Sequence, residues 1–356
     1  MKRFTIICAF AGVLLAANLA AAVPYDWAMF YEHVNQNGGG YKFSIRGLAA
    51  AQDDSNTFYY GHIQNAYDGV LPDGTLNIVH MNLSGGILHS ITVTEQPKTL
   101  ATDSRGYVYA GGTGQVTVYP SDLASPTTSI TIASAGTNKV EGVTVENGGS
   151  YYLYATSRSN GNIARYDITD IFNPVLDTTW ATSGVYTLPT TDLRGTAVDP
   201  NGDIWVADKG ADTVYKIAAD GLSHSLTTVD NPKDIVLCPL YAYVSREDGN
   251  SSTVEQLLIS DMSLQQSLYD SMVDSGYENH YGFGGIDIIG DKLYVADEDS
   301  WRIDGPGGYG DPETSYGDRI FTIDIPACGG VIPEPGTVLM ILGGLAGFAG
   351  IVYRRR

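Results

Sequence analysis

The chain has 356 residues, with 20 Lys+Arg against 40 Asp+Glu and a formal net charge of −20. A surface that acidic repels phosphate backbones and anionic lipid, which excludes nucleic acid as a general partner. With 42 Gly, 24 Tyr and no sustained helical period, the composition also excludes a helical bundle and favours short strands joined by turns.

Met1-Lys2-Arg3 precedes an apolar run, Phe4 to Leu19, that closes on Ala20-Ala21-Ala22. A basic start, a short apolar core and small residues at −3 and −1 read as a signal peptide over 1–22, leaving Val23 as the new N-terminus. The polar sequence that follows argues against a retained anchor. Setting aside Lys2, Arg3, Arg354, Arg355, Arg356 and Glu334 at the two ends leaves 15 basic and 39 acidic side chains, a net charge of −24. Such a surface tolerates divalent cations, and solubility is its plainer purpose. Cys8 leaves with the signal peptide, so Cys238 and Cys328 stand in an oxidising compartment. Either they form a bridge closing a loop of about 90 residues, worth several kcal/mol, or they stay as thiols.

The middle of the chain repeats a unit: a short apolar strand, a turn with Gly or Asn, an alternating aromatic and β-branched strand, a break, and another such strand. The clearest copies run Leu193 to Asp208 with Asp212–Ile217, Pro97 to Ala110 with Gln115–Tyr119, and Gly284 to Asp297 with Asp318–Ile323. Further copies begin near Arg46, Glu141 and Lys233, where Phe58-Tyr59-Tyr60, Tyr152-Leu153-Tyr154 and Leu240–Val244 supply the second strand. Counted from Arg46, Lys98, Glu141, Arg194, Lys233 and Gly284, the starts are 52, 43, 53, 39 and 51 residues apart. That is the period of a four-stranded propeller blade. The pattern resembles the NHL and YVTN class of six-bladed propellers. The fold class expected is therefore all-β, a six-bladed β-propeller over 23–328, closed by a strand from Ala28–Val34 on the last blade. A seven-bladed propeller and a large β-sandwich are the alternatives.

Four of the six equivalent positions are basic: Arg46, Lys98, Arg194 and Lys233, with Glu141 and Gly284 completing the set. In a propeller they converge at one mouth of the channel. Two readings follow: a basic funnel for a small anion such as an acidic sugar or carboxylate, or a ring of structural ion pairs. A second candidate is the acidic insertion of the last copy, where Asp297, Asp299 and Asp304 offer hard oxygen ligands for Ca²⁺ or form a solvated loop. Asp199, Asn201 and Asp203 read as turn residues. Gly305–Gly310 matches Gly-x-Gly-x-x-Gly but follows no βα unit, so dinucleotide binding is rejected. The catalytic motifs of serine hydrolases, zinc proteases and haem attachment are missing, and no catalytic residue is assigned.

The chain closes on Val331-Ile332-Pro333-Glu334-Pro335-Gly336, an uncharged apolar run from Thr337 to Tyr353, and Arg354-Arg355-Arg356. The run is near the lower length for a membrane helix, and the arginines favour insertion with the main domain outside. Pro-Glu-Pro, apolar helix and terminal arginines together resemble the PEP-CTERM sorting signal. The resemblance implies a linker over 329–336 with Pro333, Glu334 and Pro335 as the recognition element, and a membrane helix over 337–356 held by Arg354, Arg355 and Arg356. It also implies processing by an exosortase-type membrane protease and placement at the cell surface or in the extracellular matrix. The function expected is a non-enzymatic binding or scaffold module linked to exopolysaccharide, with an acidic polysaccharide or other matrix component as partner and no cofactor beyond candidate Ca²⁺. The alternative is a metal-dependent hydrolase or lyase of the propeller lactonase type. Against it, Glu141 is the lone acid in a ring where such enzymes place Glu, Asn and Asp.

Overall fold

A computed structural model of the chain describes residues 27–32, 41–66, 75–147, 151–190, 192–247, 253–269, 283–297 and 319–325. The segments read above as signal peptide, linker and membrane tail, and the insertion containing Asp299, Asp304 and Gly305–Gly310, lie outside the described residues.

Strand β1 (Trp27–Glu32) waits for the last blade. Blade 1 is β2 (Tyr41–Ala50), β3 (Thr57–Ala66), β4 (Thr75–Asn82) and β5 (Ile87–Val93). Blade 2 is β6 (Leu100–Thr102), β7 (Val108–Gly111), β8 (Gln115–Tyr119) and β9 (Thr128–Thr131). Blade 3 is β10 (Val140–Asn147), β11 (Tyr151–Ser157), β12 (Asn162–Asp167) and β13 (Val175–Leu176), with β14 (Val185–Thr187) also pairing β12. Blade 4 is β15 (Leu193–Val198), β16 (Ile204–Asp208), β17 (Thr213–Ile217) and β18 (His224–Thr228). Blade 5 is β19 (Pro232–Leu237), β20 (Tyr241–Arg246), β21 (Thr253–Leu258) and β22 (Leu264–Tyr269). Blade 6 is β23 (Phe283–Ile289), β24 (Lys292–Asp297), β25 (Arg319–Asp324) and, as its outer strand, β1. The sheets are antiparallel meanders, and Trp27 pairs with Ile323 where the first strand closes the circle.

The six first strands pack on one another in cyclic order around the axis. Each apolar core sits at a seam between blades. Tyr109, Val116 and Val118 of blade 2 meet Val143, Leu153 and Tyr166 of blade 3. Trp205 and Val214 of blade 4 meet Val244 and Leu257 of blade 5. A single blade has no way to bury both faces alone, which is why the repeat period dictates a closed ring. The repeated hairpin between first and second strand is held by its leading Asp. Asp199 Oδ1 accepts from the N–H of Asn201 (2.8 Å) and Asp203 (3.1 Å), with Gly202 at positive φ, so these are turn residues. Asp103 does the same for Arg105 and Tyr107 in blade 2.

Candidate functional site

The first strand of a blade starts at one end face of the propeller, here called the mouth. At that start, five of the six blades carry a register shift: Ile45/Leu48, Val140/Gly142, Leu193/Thr196, Pro232/Asp234 and Phe283/Ile286. A β-bulge bends its strand and re-aims one side chain. The residues inside these bulges are Arg46, Glu141, Arg194, Lys233 and Gly284; Lys98 precedes β6 at the matching place. The bulges also let the backbones approach the axis. A Cβ added at Gly142 would stand 2.2 Å from the carbonyl oxygen of Arg194.

Arg46, Lys98, Glu141, Lys233 and Gly284 line one axial cavity, together with Asp234. Its volume of about 10 Å³ holds roughly one water-sized group. Glu141, 5% exposed, is the centre of the charge network. Its Oε1 accepts from Lys98 Nζ (2.8 Å) and Arg158 Nη1 (3.1 Å), and its Oε2 accepts from Arg194 Nη1. Arg194 Nη2 and Arg158 Nε both reach Asp192, at 3.0 and 3.1 Å. Across the cavity, Lys233 Nζ and Lys209 Nζ each lie 3.0 Å from Glu247 Oε2.

Burial raises the pKa of Glu141, but Arg194, Lys98 and Lys233 outweigh it and hold the carboxyl at about 2. Burial likewise opposes Lys233 and Lys209 at Glu247, and the two cations again prevail, at about 2. Lys98 shows the opposite balance. Burial lowers it to about 8; Glu141 resists, while Arg46 and Lys139 push it further down. Asp234 is pushed up to about 7 by burial, even though its oxygens accept from the N–H of Ile235 (2.9 Å) and Ile286 (3.2 Å). Asp287 is pushed up to about 6 for the same reason while accepting from the N–H of Ala50 (2.6 Å) and Ile288 (2.7 Å). These two carboxyls tie blade 5 to blade 6 and blade 6 to blade 1. Both keep some contact with solvent, which softens the penalty without reversing its direction.

Sequence reasoning missed Asp192, Asp234, Arg158, Lys209 and Glu247. The last three each follow a second strand directly, so they form another equivalent position around the same mouth. Of the Ca²⁺ candidates, the Asp297 side chain, Asp299 and Asp304 lie outside the described residues. Among the described residues no group of three His, Cys, Asp or Glu is placed to hold a metal ion. Cys238 is 6% exposed and disulfide-bonded; Cys328 lies outside the described residues.

Residues 331–356 match the PEP-CTERM protein-sorting motif. The chain ends in an exosortase sorting signal. That motif marks an exported chain processed by an exosortase on the way to the cell surface. No curated protein matches the chain in sequence. Solved structures match it in fold. The streptogramin B lyase structure is 11% identical with a TM-score of 0.51, covering 85% of this chain and 98% of that one. The structure of U3-55K is 13% identical with a TM-score of 0.53, covering 84% and 98%. The PQQ-bound aldose sugar dehydrogenase from Streptomyces coelicolor is 14% identical with a TM-score of 0.51, covering 85% and 99%. At these identities, all under 25%, the likeness is one of fold alone, and a fold does not fix a function.

Proposed function

We propose that this PEP-CTERM propeller is a non-enzymatic binding module of the cell surface or extracellular matrix, whose mouth takes the carboxylate of an acidic exopolysaccharide. The observation that carries the reading is the cationic cluster on the axis, where Glu141 is shared by Lys98, Arg158 and Arg194 and the cavity admits only a group about the size of one carboxylate oxygen. Such a mouth focuses field toward an anion in an otherwise acidic molecule. The metal-dependent hydrolase or lyase reading requires several oxygen or imidazole ligands converging on the axis. Glu141 and Asp234 are the two acids that line the cavity, and Glu141 is already engaged by three cations.

The test is thermal unfolding of the exported chain with uronic acid oligomers, neutral oligosaccharides, Ca²⁺, Zn²⁺ and EDTA. A ligand at one hundred times its Kd stabilises by about 2.7 kcal/mol. We expect uronates, and not neutral sugars, to raise Tm at pH 6.5 and Lys98→Met to abolish the rise. Lys98 loses its charge above about 8 and Asp234 gains one above about 7, so the rise shrinks between pH 7 and 9. No response to any uronate rules the reading out. A rise that needs metal and disappears with EDTA supports the enzyme instead.

A further inference from the structure

Blade 1 carries a row of rings that the mouth does not use. β2 starts at the mouth and its neighbours alternate in direction, so β4 runs away from the mouth and β5 runs back toward it. Tyr59 on β3 pairs in register with His80 on β4, and His80 with His89 on β5. Side chains directly opposite on antiparallel strands share one face of the sheet, with Cβ atoms about 4.5–5.5 Å apart. The three rings therefore form a ladder near the end of the propeller remote from the mouth. Tyr59 and His80 stack with centroids 4.2 Å and planes 22° apart; His80 and His89 follow at 5.7 Å and 28°. A register shift comes directly after the histidine pair, between His80 and Met81. Such a bulge re-aims the side chains beside it. Tyr59 faces blade 2, among Leu100, Val108 and Tyr119, and its hydroxyl donates to Ser121 O (3.0 Å).

His80 is 8% exposed, and neither of its ring nitrogens has a hydrogen-bond partner. Burying an imidazole on those terms costs free energy that a phenyl ring of similar size would not. His224 shows the ordinary solution: its Nδ1 meets Tyr186 Oη at 2.6 Å. Burial and the neighbouring His89 lower the pKa of His80, against Asp53, Asp54 and the Ser121 carbonyl. The ring is therefore neutral at neutral pH, and one nitrogen keeps a lone pair to offer. His89 is exposed, so the pair opens to solvent on the β5 side.

We propose that His80 and His89 together hold one d-block divalent cation, Cu²⁺ in preference to Zn²⁺, which staples edge strand β5 to β4. Neutral imidazole suits both ions, and nitrogen ligands bind Cu²⁺ the more tightly of the two. The ring spacing fits. At a metal–nitrogen distance of about 2.0–2.1 Å, two imidazoles on one ion have centroids about 5 Å apart at a tetrahedral angle and about 6.4 Å apart when trans. The observed 5.7 Å lies between. The rings stand face to face, so convergence needs one of them to turn edge-on; exposed His89 has the room, while His80 stays packed on Tyr59. Water completes the coordination, and the charge of Asp53 in the β2–β3 turn adds attraction. The Ser121 carbonyl is at hand for the other N–H of His80, the usual outer partner of a metal-bound histidine. With two protein ligands, this site differs from the closed four-ligand centres of structural zinc. Its effect falls on β5, which is exposed along most of its length and forms the edge of its blade. Edge strands are where a sheet is open to wrong pairing, and a cross-strand ion fixes this one in register.

The test titrates the untagged full chain, stripped with EDTA and free of saccharide, with Cu²⁺, Zn²⁺ or Ca²⁺ alone. Calorimetry follows binding, and electron paramagnetic resonance reads the ligands of Cu²⁺. We expect one Cu²⁺ per chain with two imidazole nitrogens in its spectrum, Zn²⁺ at lower affinity, and no competition from Ca²⁺, which takes oxygen ligands. His89→Ala, at an exposed edge position, should weaken Cu²⁺ binding by at least the roughly tenfold that even loss of an outer partner costs a metal site. His80→Phe, which keeps a ring stacked on Tyr59, should do the same; should it fail to fold, His89→Ala decides alone. Cu²⁺ binding that survives His89→Ala, a spectrum with fewer than two imidazole nitrogens, or no uptake at all overturns the site. Because no uronate is present and both histidines lie away from the mouth, these outcomes are separate from those that test the mouth.

Discussion

Glu141 supplies one negative charge to three cations, and it does so at 5% exposure. Removing one partner of a buried pair costs more than the pair gains, because the charges left behind stay desolvated. Glu141→Gln keeps the shape and removes the charge. We expect it to lower stability by about 3–5 kcal/mol in denaturant titration. Arg158→Gln, at the more exposed end of the same network, should cost about 1 kcal/mol or less. Equal losses for the two variants would mean that the network is not centred on Glu141.

At the level of the strand, the decisive device is the bulge in five of the six inner strands. It aims the mouth side chains and brings backbones into contact where glycine stands. Gly142→Ala would press a Cβ against Arg194 O at 2.2 Å. Overpacking of this kind costs about 1–3 kcal/mol, since neither backbone yields easily. The expected outcome is a lowered urea midpoint and weaker uronate binding together, as Arg194 moves; an unchanged midpoint would show that the axis is looser than drawn. The ring was legible in the sequence because the copies align on Arg46, Lys98, Glu141, Arg194, Lys233 and Gly284, and closure by the first strand was legible because strand-like sequence precedes the first copy. Arg158, Lys209 and Glu247 escaped notice because they sit just outside the strands, where loop lengths differ from blade to blade. Asp234 and Asp287 escaped because nothing local marks an inner-strand Asp as a tie to the next blade; only the closed ring brings Ile286 and Ala50 to them. The extra strand β14 arises within the long link between β13 and β15, whose Val185-Tyr186-Thr187 pairs back onto β12.

For the whole molecule, two effects make stability depend on pH in the same direction above about 4.5. The net charge of −20 repels itself, and Asp234 and Asp287 hold protons in the folded state that they release when unfolded. A carboxyl whose folded pKa is raised favours the fold fully below its unfolded value of about 3.9 and progressively less as pH rises through the folded value. For Asp287 and Asp234 the loss is complete above about 6 and about 7. Glu141 and Glu247 have the opposite sign. Their folded values near 2 give stability that is present above about 4.3 and lost as pH falls toward 2. The Tm should therefore peak near pH 4–5, below the range of 5–8 that is usual for proteins. Salt separates the two causes. At 0.15 M the Debye length is about 8 Å, so general surface repulsion is screened while interactions between groups inside the ring are not. We expect the fall in Tm from pH 5 to 8 to persist in 0.5 M NaCl and to flatten in the Asp234→Asn, Asp287→Asn double variant. That variant should be less stable throughout, because an amide does not accept both N–H bonds, but its pH slope is the diagnostic quantity. A slope that vanishes with salt alone would assign the whole effect to the acidic surface and leave the two inner carboxyls ionised at neutral pH.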